Sequence, residues 1–342
     1  MKNATLHIDL DSIVYNYRHL KCYYKKNIIA VLKDDAYGVG LVEVYKALQY
    51  EEGLIIAVSD LIDIEKLRDN NFKGDILYLN VFDEDDIDFI KTNNVTVIID
   101  NIEQLKIVKD NQIKFHLKIN TGMNRLGLKD KDIFKAINLI NNNNDYLLTG
   151  VMTHFADQDN NHVGYNLFEK YVKLVNKKDL MIHCFASSSL NEYFDNICTH
   201  IRVGLKLLGI TERSSFLHYA LRLTSPILTI KKINKNELVG YDKTYETLEK
   251  GYLIILPIGY GKGLYRFNDS IAYIDNMYLK QAGKISMDYA TYFSKQNVDK
   301  NAEIELFGKK VPIESLCKIN NISAHEILVN LKVNKKYYIT KV

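Results

Sequence analysis

The chain has 342 residues, 47% of them hydrophobic and 25% charged, with a formal net charge of +3. That balance excludes a disordered, fibrous or membrane-spanning chain. The lysines are scattered among acids rather than gathered into the basic block that tracks a phosphate backbone, which excludes a nucleic-acid binder and leaves small molecules or other protein chains as partners.

The start, MKNATLHIDLDSIVYNY, has no charged lead, long apolar run or small-residue cleavage site, and no apolar run approaches the ~20 residues of a membrane span. A cytoplasmic location is expected. Cys22, Cys184, Cys198 and Cys317 lie far apart with no CxxC pair, so they read as reduced thiols, and no His spacing suggests a metal site. Along the chain, LHIDL (6–10) is strand-like. Eight short β-branched runs follow: IIAVLK (28–33), LIIAV (54–58), DILYL (75–79), VTVII (95–99), KFHLKI (114–119), LLTGVMTH (147–154), MIHCFA (181–186) and HIRVG (200–204). Between them VEVYKALQY, DLIDIEKLRDN, FKAINLINN and NLFEKYVKLVNK repeat apolar residues every three or four positions, as amphipathic helices do. NNNND (141–145) reads as a polar turn.

Continuous apolar strands alternating with such helices make a parallel sheet covered on both faces. Eight units closing on themselves predict an α/β fold with an N-terminal (β/α)8 TIM-like barrel over residues 1–225. An open doubly wound sheet is the alternative, although it would want a GxGxxG loop after the first strand. From 226 to 342 the runs SPILTIKKI, YLIILPI, IAYIDNMYLKQAGKI, YATYFS, AEIELFG, ILVNLKV and KKYYITKV are strand-like, with hardly any helical period, so a separate C-terminal mostly-β domain is expected. Residues 1–10 are assigned to it as an added strand.

Barrel enzymes keep their chemistry at the carboxyl ends of the strands. The first strand here runs through Lys33 into AVLKDDAYGVG (30–40), whose plainest reading is a solvated charge run at a turn. The fifth runs from Lys118 to Arg125, the sixth ends in His154, and the seventh leads through His183 to Ser187. The eighth carries Arg202, Gly204 and Leu205. A lysine, two arginines, a histidine, hydroxyls and a glycine backbone at one mouth match what a phosphorylated aromatic cofactor bound through an imine requires.

Eight ordered stretches, AVLKDDAYGVG, LKINTGMNRLG, GVMTHFA, IHCFASS, IRVGLKLLG, VGYDKTY, LPIGYGKG and GKISMDYA, carry a resemblance to the alanine racemases over about residues 5–295. These are two-domain pyridoxal 5'-phosphate enzymes, so the resemblance implies an isomerase that makes D-alanine for cell-wall peptidoglycan. It implies that Lys33 forms the imine and acts as one base, and that Tyr37, Ser187 and the backbone N–H groups of Gly204 and Leu205 hold the phosphate. Arg202 would face the pyridine nitrogen with His154 nearby. An arginine cannot accept the ring proton, its own pKa lying above ~12, which makes the ring a weaker electron sink and favours reprotonation at Cα over transamination. Arg125 would hold the phenolic-oxygen side of the cofactor and touch substrate, and Lys118 matches a position often carbamylated.

Racemisation needs bases on opposite faces of Cα. By resemblance the second is Tyr241, and Met287 offers its N–H to the substrate carboxylate, both from another subunit, which makes a homodimer with shared sites. Tyr260 and Arg266 would line the entrance channel. Several positions depart from the family pattern. Either Ser187 or Ser188 can be the phosphate ligand, Lys262 stands where an acid is usual, and Leu208 replaces a tyrosine. A C-terminal tyrosine has no clear counterpart near Leu331 or Val333. These departures leave open a racemase of serine or of broader range. A fold-related decarboxylase would oppose the ring nitrogen with an acid, and a non-catalytic pyridoxal-phosphate carrier would lack the second domain.

Overall fold

The computed structural model describes residues 3–156, 162–187, 189–190, 197–211 and 216–338. The chain divides into two units: a barrel unit of residues 14–36 and 40–207, and a second unit of residues 1–13, 37–39 and 208–342.

Strand β1 (Thr5–Asp9) leads into α1 (Leu10–Tyr24), then β2 (Asn27–Val31), α2 (Lys33–Gly38) and α3 (Leu41–Leu48). Next come β3 (Ile55–Val58), α4 (Leu61–Asp69), β4 (Asp75–Tyr78), α5 (Ile87–Thr92), β5 (Val95–Ile99) and α6 (Ile102–Asp110). The unit finishes with β6 (Phe115–Lys118), α7 (Asp130–Asn141), β7 (Leu148–Met152), α8 (His162–Val172), β8 (Met181–His183) and β9 (His200–Val203). Strands β2 to β9 form one parallel sheet in the order β8-β7-β6-β5-β4-β3-β2-β9. Hydrogen bonds from the Thr199 N–H to the Ile182 carbonyl (2.9 Å) and from the Arg202 N–H to the Phe185 carbonyl (3.0 Å) bring β9 beside β8, so the ring nearly closes. The (β/α)8 barrel expected from the alternating runs is therefore the fold, and the open doubly wound sheet is not. Its strands are buried throughout in β3, β5 and β6, which is why they read as unbroken apolar runs.

The second unit holds β10 (Leu221–Pro226), β11 (Thr229–Ile233), β12 (Leu238–Val239), β13 (Tyr245–Glu246), β14 (Gly251–Leu256) and β15 (Ile271–Ile274). It continues with β16 (Met277–Gln281), β17 (Ala290–Ser294), β18 (Glu303–Phe307), α9 (Ile313–Asn320), α10 (Ala324–Val329) and β19 (Asn334–Tyr338). Nine of these strands, counting β1, form one sheet in the order β11-β14-β17-β16-β15-β18-β10-β1-β19, and β12 with β13 makes a separate ribbon. The unit starts at Leu208 rather than 226, because β10 is hydrogen-bonded between β18 and β1 in that sheet.

Two segments differ from their sequence reading. ILVNLKV is not a strand: Ser323 caps α10 by accepting from the Glu326 N–H, and the Glu326 side chain returns to the Ser323 N–H. That reciprocal pair favours a helix start over the strand that its β-branched residues suggest. Helix α9, which buries Ile313 and Leu316, lies where no helical period was read.

Candidate active site

At the carboxyl end of β2 the backbone changes hand. From Asp34 to Gly38 every φ is positive, between 52° and 77°, so α2 is a left-handed turn. Each non-glycine residue there costs roughly 1–2 kcal/mol, least for Asp, whose short polar side chain bonds locally. The turn is held on both sides. The Ala36 N–H donates to the Leu32 carbonyl (2.9 Å), the Gly40 N–H to the Asp35 carbonyl (2.9 Å) and the Leu41 N–H to Asp35 Oδ1 (2.9 Å). Lys33, at its start, keeps a half-open side chain with Nζ 3.6 Å from Asp34 Oδ2. Tyr37 falls in the second unit, buried with its ring edge-on to His325 at 5.2 Å.

Inside the barrel, alternate residues share a face. His116 and Lys118 on β6, and His200 and Arg202 on β9, follow that spacing, and His183 ends β8. Arg202 is 3% exposed, and all its recorded bonds go to neutral acceptors. Nη1 donates to His183 Nδ1 (2.8 Å) and the His183 carbonyl (2.9 Å). Nη2 donates to the carbonyls of Thr153 (2.7 Å) and Cys184 (3.1 Å) and to His154 Nδ1 (3.2 Å). Because a guanidinium only donates, His183 carries its hydrogen on Nε2 and donates it in a hydrogen bond to His116 Nδ1 at 2.8 Å. A Cβ on Gly150 would lie 2.7 Å from the His116 ring, so that glycine makes room for it.

The electrostatics are consistent with neutral imidazoles around a fixed cation. Burial, then Arg202, Arg125, Lys118 and Lys33, lower His154 to about 3. Burial and the neighbouring His200 and Arg202 lower His116 to about 3. Lys118 is lowered to about 8 by burial and then by Arg202 and Arg125, with Asp100 opposing. Burial lowers Arg202 itself to about 10.

The loop carrying Arg125 is built on Asn120, whose Oδ1 accepts from the N–H groups of Gly122 (2.9 Å) and Asn124 (3.2 Å). Thr121 Oγ1 meets Thr153 Oγ1 at 2.8 Å, tying the ends of β6 and β7. Arg125 is exposed on this loop. Ser187 Oγ accepts from the Gly204 N–H at 3.0 Å, and Leu205 opens the 3-10 turn Leu205–Leu208. Ser188 lies outside the described residues. Lys33, Lys118, Arg125, His154, Ser187, Arg202 and Gly204 thus all lie at the carboxyl ends of the barrel strands. A cavity of about 680 Å³ bounded by Asn27, Asp75 and His200 opens at the opposite, amino ends.

In the second unit Tyr241 begins a 3-10 turn flanked by positive φ at Gly240 (78°), Asp242 (57°) and Lys243 (52°), and it is 65% exposed. Asp242 pairs with Lys284. The Gly261 N–H donates to the Met287 carbonyl (2.9 Å) and the Tyr260 N–H to the Ser286 carbonyl (3.1 Å). A Cβ on Gly259 would lie 2.2 Å from the Ser286 carbonyl oxygen, so glycine permits that approach. Arg266 sits 5.8 Å above the Tyr260 ring. Lys262 accepts from the Lys332 N–H (2.9 Å), which puts buried Leu331 beside this turn.

Sequence reasoning did not single out His116, Asn120 or Thr153. The H-x-K spacing in KFHLKI was the available signal for His116, since it puts that ring on the face of Lys118.

The donors fit a phosphorylated, imine-forming ring: four cations act on His154, and at strand ends of the same sheet Ser187 Oγ meets the Gly204 N–H. Residues 8–212 match the family model for the N-terminal domain of alanine racemase, and residues 220–338 that for its C-terminal domain. An alanine racemase of Fusobacterium nucleatum is 29% identical, covering 95% of this chain and 94% of its own, and one of Aquifex pyrophilus is 33% identical over 84% of each. Among solved structures, alanine racemase from Acinetobacter baumannii superimposes with a TM-score of 0.91 at 22% identity, covering 99% of this chain and 100% of its own. That from Bartonella henselae, described with covalently bound pyridoxal phosphate, gives 0.89 at 23% identity with the same coverage. At those identities the structural likeness is one of fold, whereas the domain models span both units in order. The chain belongs to the alanine racemase family.

Proposed function

We propose that this chain is a pyridoxal-phosphate-dependent alanine racemase in which Lys33 and Tyr241 exchange protons with opposite faces of the substrate Cα. The observation that carries the reading is the environment of Arg202: a buried guanidinium bonded to carbonyls and neutral imidazoles, at the strand ends that also present Lys33. When bound, the cofactor supplies an electron-withdrawing ring that acidifies Cα.

The chain's own groups supply the rest. Ser187 Oγ accepts from the Gly204 N–H, so its hydroxyl hydrogen is left to donate to a phosphate oxygen. The Leu205 N–H is the second backbone donor that the resemblance gives that end. Arg202 offers a donor to the ring nitrogen and no acceptor, which argues against the decarboxylase reading. Lys118, lowered to about 8, is partly neutral near that pH, and the neutral amine is the form that combines with carbon dioxide. The carbamate that results puts an anion among Arg125 and Arg202 and relieves their repulsion.

Lys33 takes or returns a proton on one face, and the Tyr241 hydroxyl does so on the other. The exposure of Tyr241 and Met287 (65% and 56%) supports their service to a second copy, so the working form is a homodimer with shared sites. Tyr260 and Arg266 line the entrance, and Lys262 and Leu331 give it a charge and width of its own. A cytoplasmic location fits this chemistry. Among the described residues, no helix is long and apolar enough to cross a membrane.

The test is borohydride reduction of the holoenzyme with mapping of the modified lysine, paired with a coupled assay of L-alanine, L-serine and a cationic amino acid. Cofactor fixed on Lys33 and conversion of L-alanine to D-alanine are expected. Attachment to another lysine, or turnover of L-serine without L-alanine, overturns the reading.

A further inference from the structure

Two cysteines that the racemase chemistry does not use face each other inside the barrel. Cys184 follows β8 and Cys198 precedes β9, both are fully buried, and their sulfur atoms are 3.0 Å apart. The backbone bonds Thr199 N–H to Ile182 O and Arg202 N–H to Phe185 O, which bracket Cys184 on one strand and follow Cys198 on the other, hold the two strand ends side by side. The strand register sets Cys184 opposite His200 and Cys198 opposite Ile182, so the two cysteines are diagonal neighbours, and it is their side chains that bring the sulfur atoms within reach of a bond. The chain between the two cysteines carries Ser187, whose Oγ meets the Gly204 N–H. It also carries the turn closed by Ala186 N–H to Ser189 Oγ (2.9 Å) and Ser189 N–H to Ala186 O (3.0 Å).

We propose that Cys184 and Cys198 are a redox-modification site, forming a reversible intrachain disulfide that staples the Ser187 segment to the start of β9. The inference rests on the packing of this segment and not on the racemase activity.

The surroundings prepare one sulfur as the nucleophile. The hydrogen bond from Cys184 lowers the Cys198 thiol against the effect of burial, with Arg202 and Lys26 adding positive potential, while burial raises Cys184. A small peroxide is the oxidant, since nothing larger reaches two buried atoms. The Cys198 thiolate attacks one peroxide oxygen; an S–O bond forms, the O–O bond breaks, and the departing hydroxide takes up the proton that Cys198 lost. Cys184 sulfur then attacks the sulfenic sulfur, the S–S bond forms, and the hydroxyl leaves with the Cys184 proton as a second water. The two sulfurs give up two electrons and peroxide takes them. A dithiol reductant reverses the bond by exchange.

The test treats full-length holoenzyme with hydrogen peroxide, quenches it, and alkylates it in urea before peptide mapping. The reduced chain has four alkylatable cysteines. The expected result is loss of two of them, a cross-linked peptide pair containing Cys184 and Cys198, and a rise in heat midpoint of about 3–5 °C that dithiothreitol reverses. Cys198→Ser and Cys184→Ser should each abolish the cross-link and the rise. Four thiols still alkylated, a cross-link to Cys22 or Cys317, or the same rise in Cys198→Ser overturns the proposal. If a variant does not fold, the thiol map of the unsubstituted protein decides alone.

Discussion

The turn after Lys33 and the turn around Tyr241 both use left-handed backbone, yet they are finished differently. After Lys33, four non-glycine residues from Asp34 to Tyr37 are held by backbone and Asp35 side-chain bonds, with Ala36 and Tyr37 buried. Around Tyr241, Asp242 and Lys243 have the same hand, but Tyr241 is exposed and the recorded ion pair, Asp242 with Lys284, is solvent-facing. Strain of this kind persists only where the surroundings over-determine it. An exposed ion pair contributes little. The first turn is therefore completed by its own chain, whereas the second leaves its tyrosine exposed.

The sharpest way to break that contrast is Tyr241→Phe. Removing one exposed hydroxyl should leave the heat midpoint unchanged while lowering racemisation by roughly 10²–10⁴, the usual worth of a positioned acid-base group, and equally in both directions because the two enantiomers have the same free energy. Isotope exchange at Cα should be lost more from L-alanine than from D-alanine. Equal loss of that exchange from both enantiomers removes the assigned role and with it the functional half of the contrast.

A smaller effect on turnover, with a larger one on stability, is expected on the finished side. Arg202→Gln leaves carbonyls of Thr153, His183 and Cys184 short of a donor, and urea unfolding should show a loss of about 2–4 kcal/mol. An unfolding curve that superimposes on the parent would mean that this guanidinium is not structural.

The third expectation concerns acid. His116 and His154 are lowered to about 3 and His200 to about 4, from 6.5, with burial the largest cause in each. Unfolded chains take up these protons near 6.5 and the folded chain does not, so stability is intact above that pH. It falls as the pH drops from about 6.5 toward 3, by at most about 1.4 kcal/mol per pH unit for each histidine. Urea midpoints measured across this range should fall, and His116→Asn should flatten the slope. A pH-independent midpoint would show that these rings are not held neutral.

Much of this architecture is legible without coordinates. Eight apolar strand runs in register with amphipathic helices require a covered parallel sheet, and all eight are strands. The ordered motifs locate Lys33, Lys118, Arg125, His154 and Arg202 at strand ends because strand limits are set by local composition. The segment at 313–329 was less legible, since ILVNLKV has the residues of a strand but follows a capping box, whose reciprocal Ser323–Glu326 bonds favour the helix.

Composition and periodicity settle what can be settled one segment at a time: which runs are apolar, how they repeat, and which chemistry-bearing residues end them. The hand of the turn after Lys33, the chain from Arg202 through His183 to His116, and the meeting of Cys184 with Cys198 were decided only by folding. Each depends on atoms from different strands arriving within about 3 Å of one another, or on neighbours that offset a strained φ. No local preference encodes such distances, because they exist only once the sheet has closed.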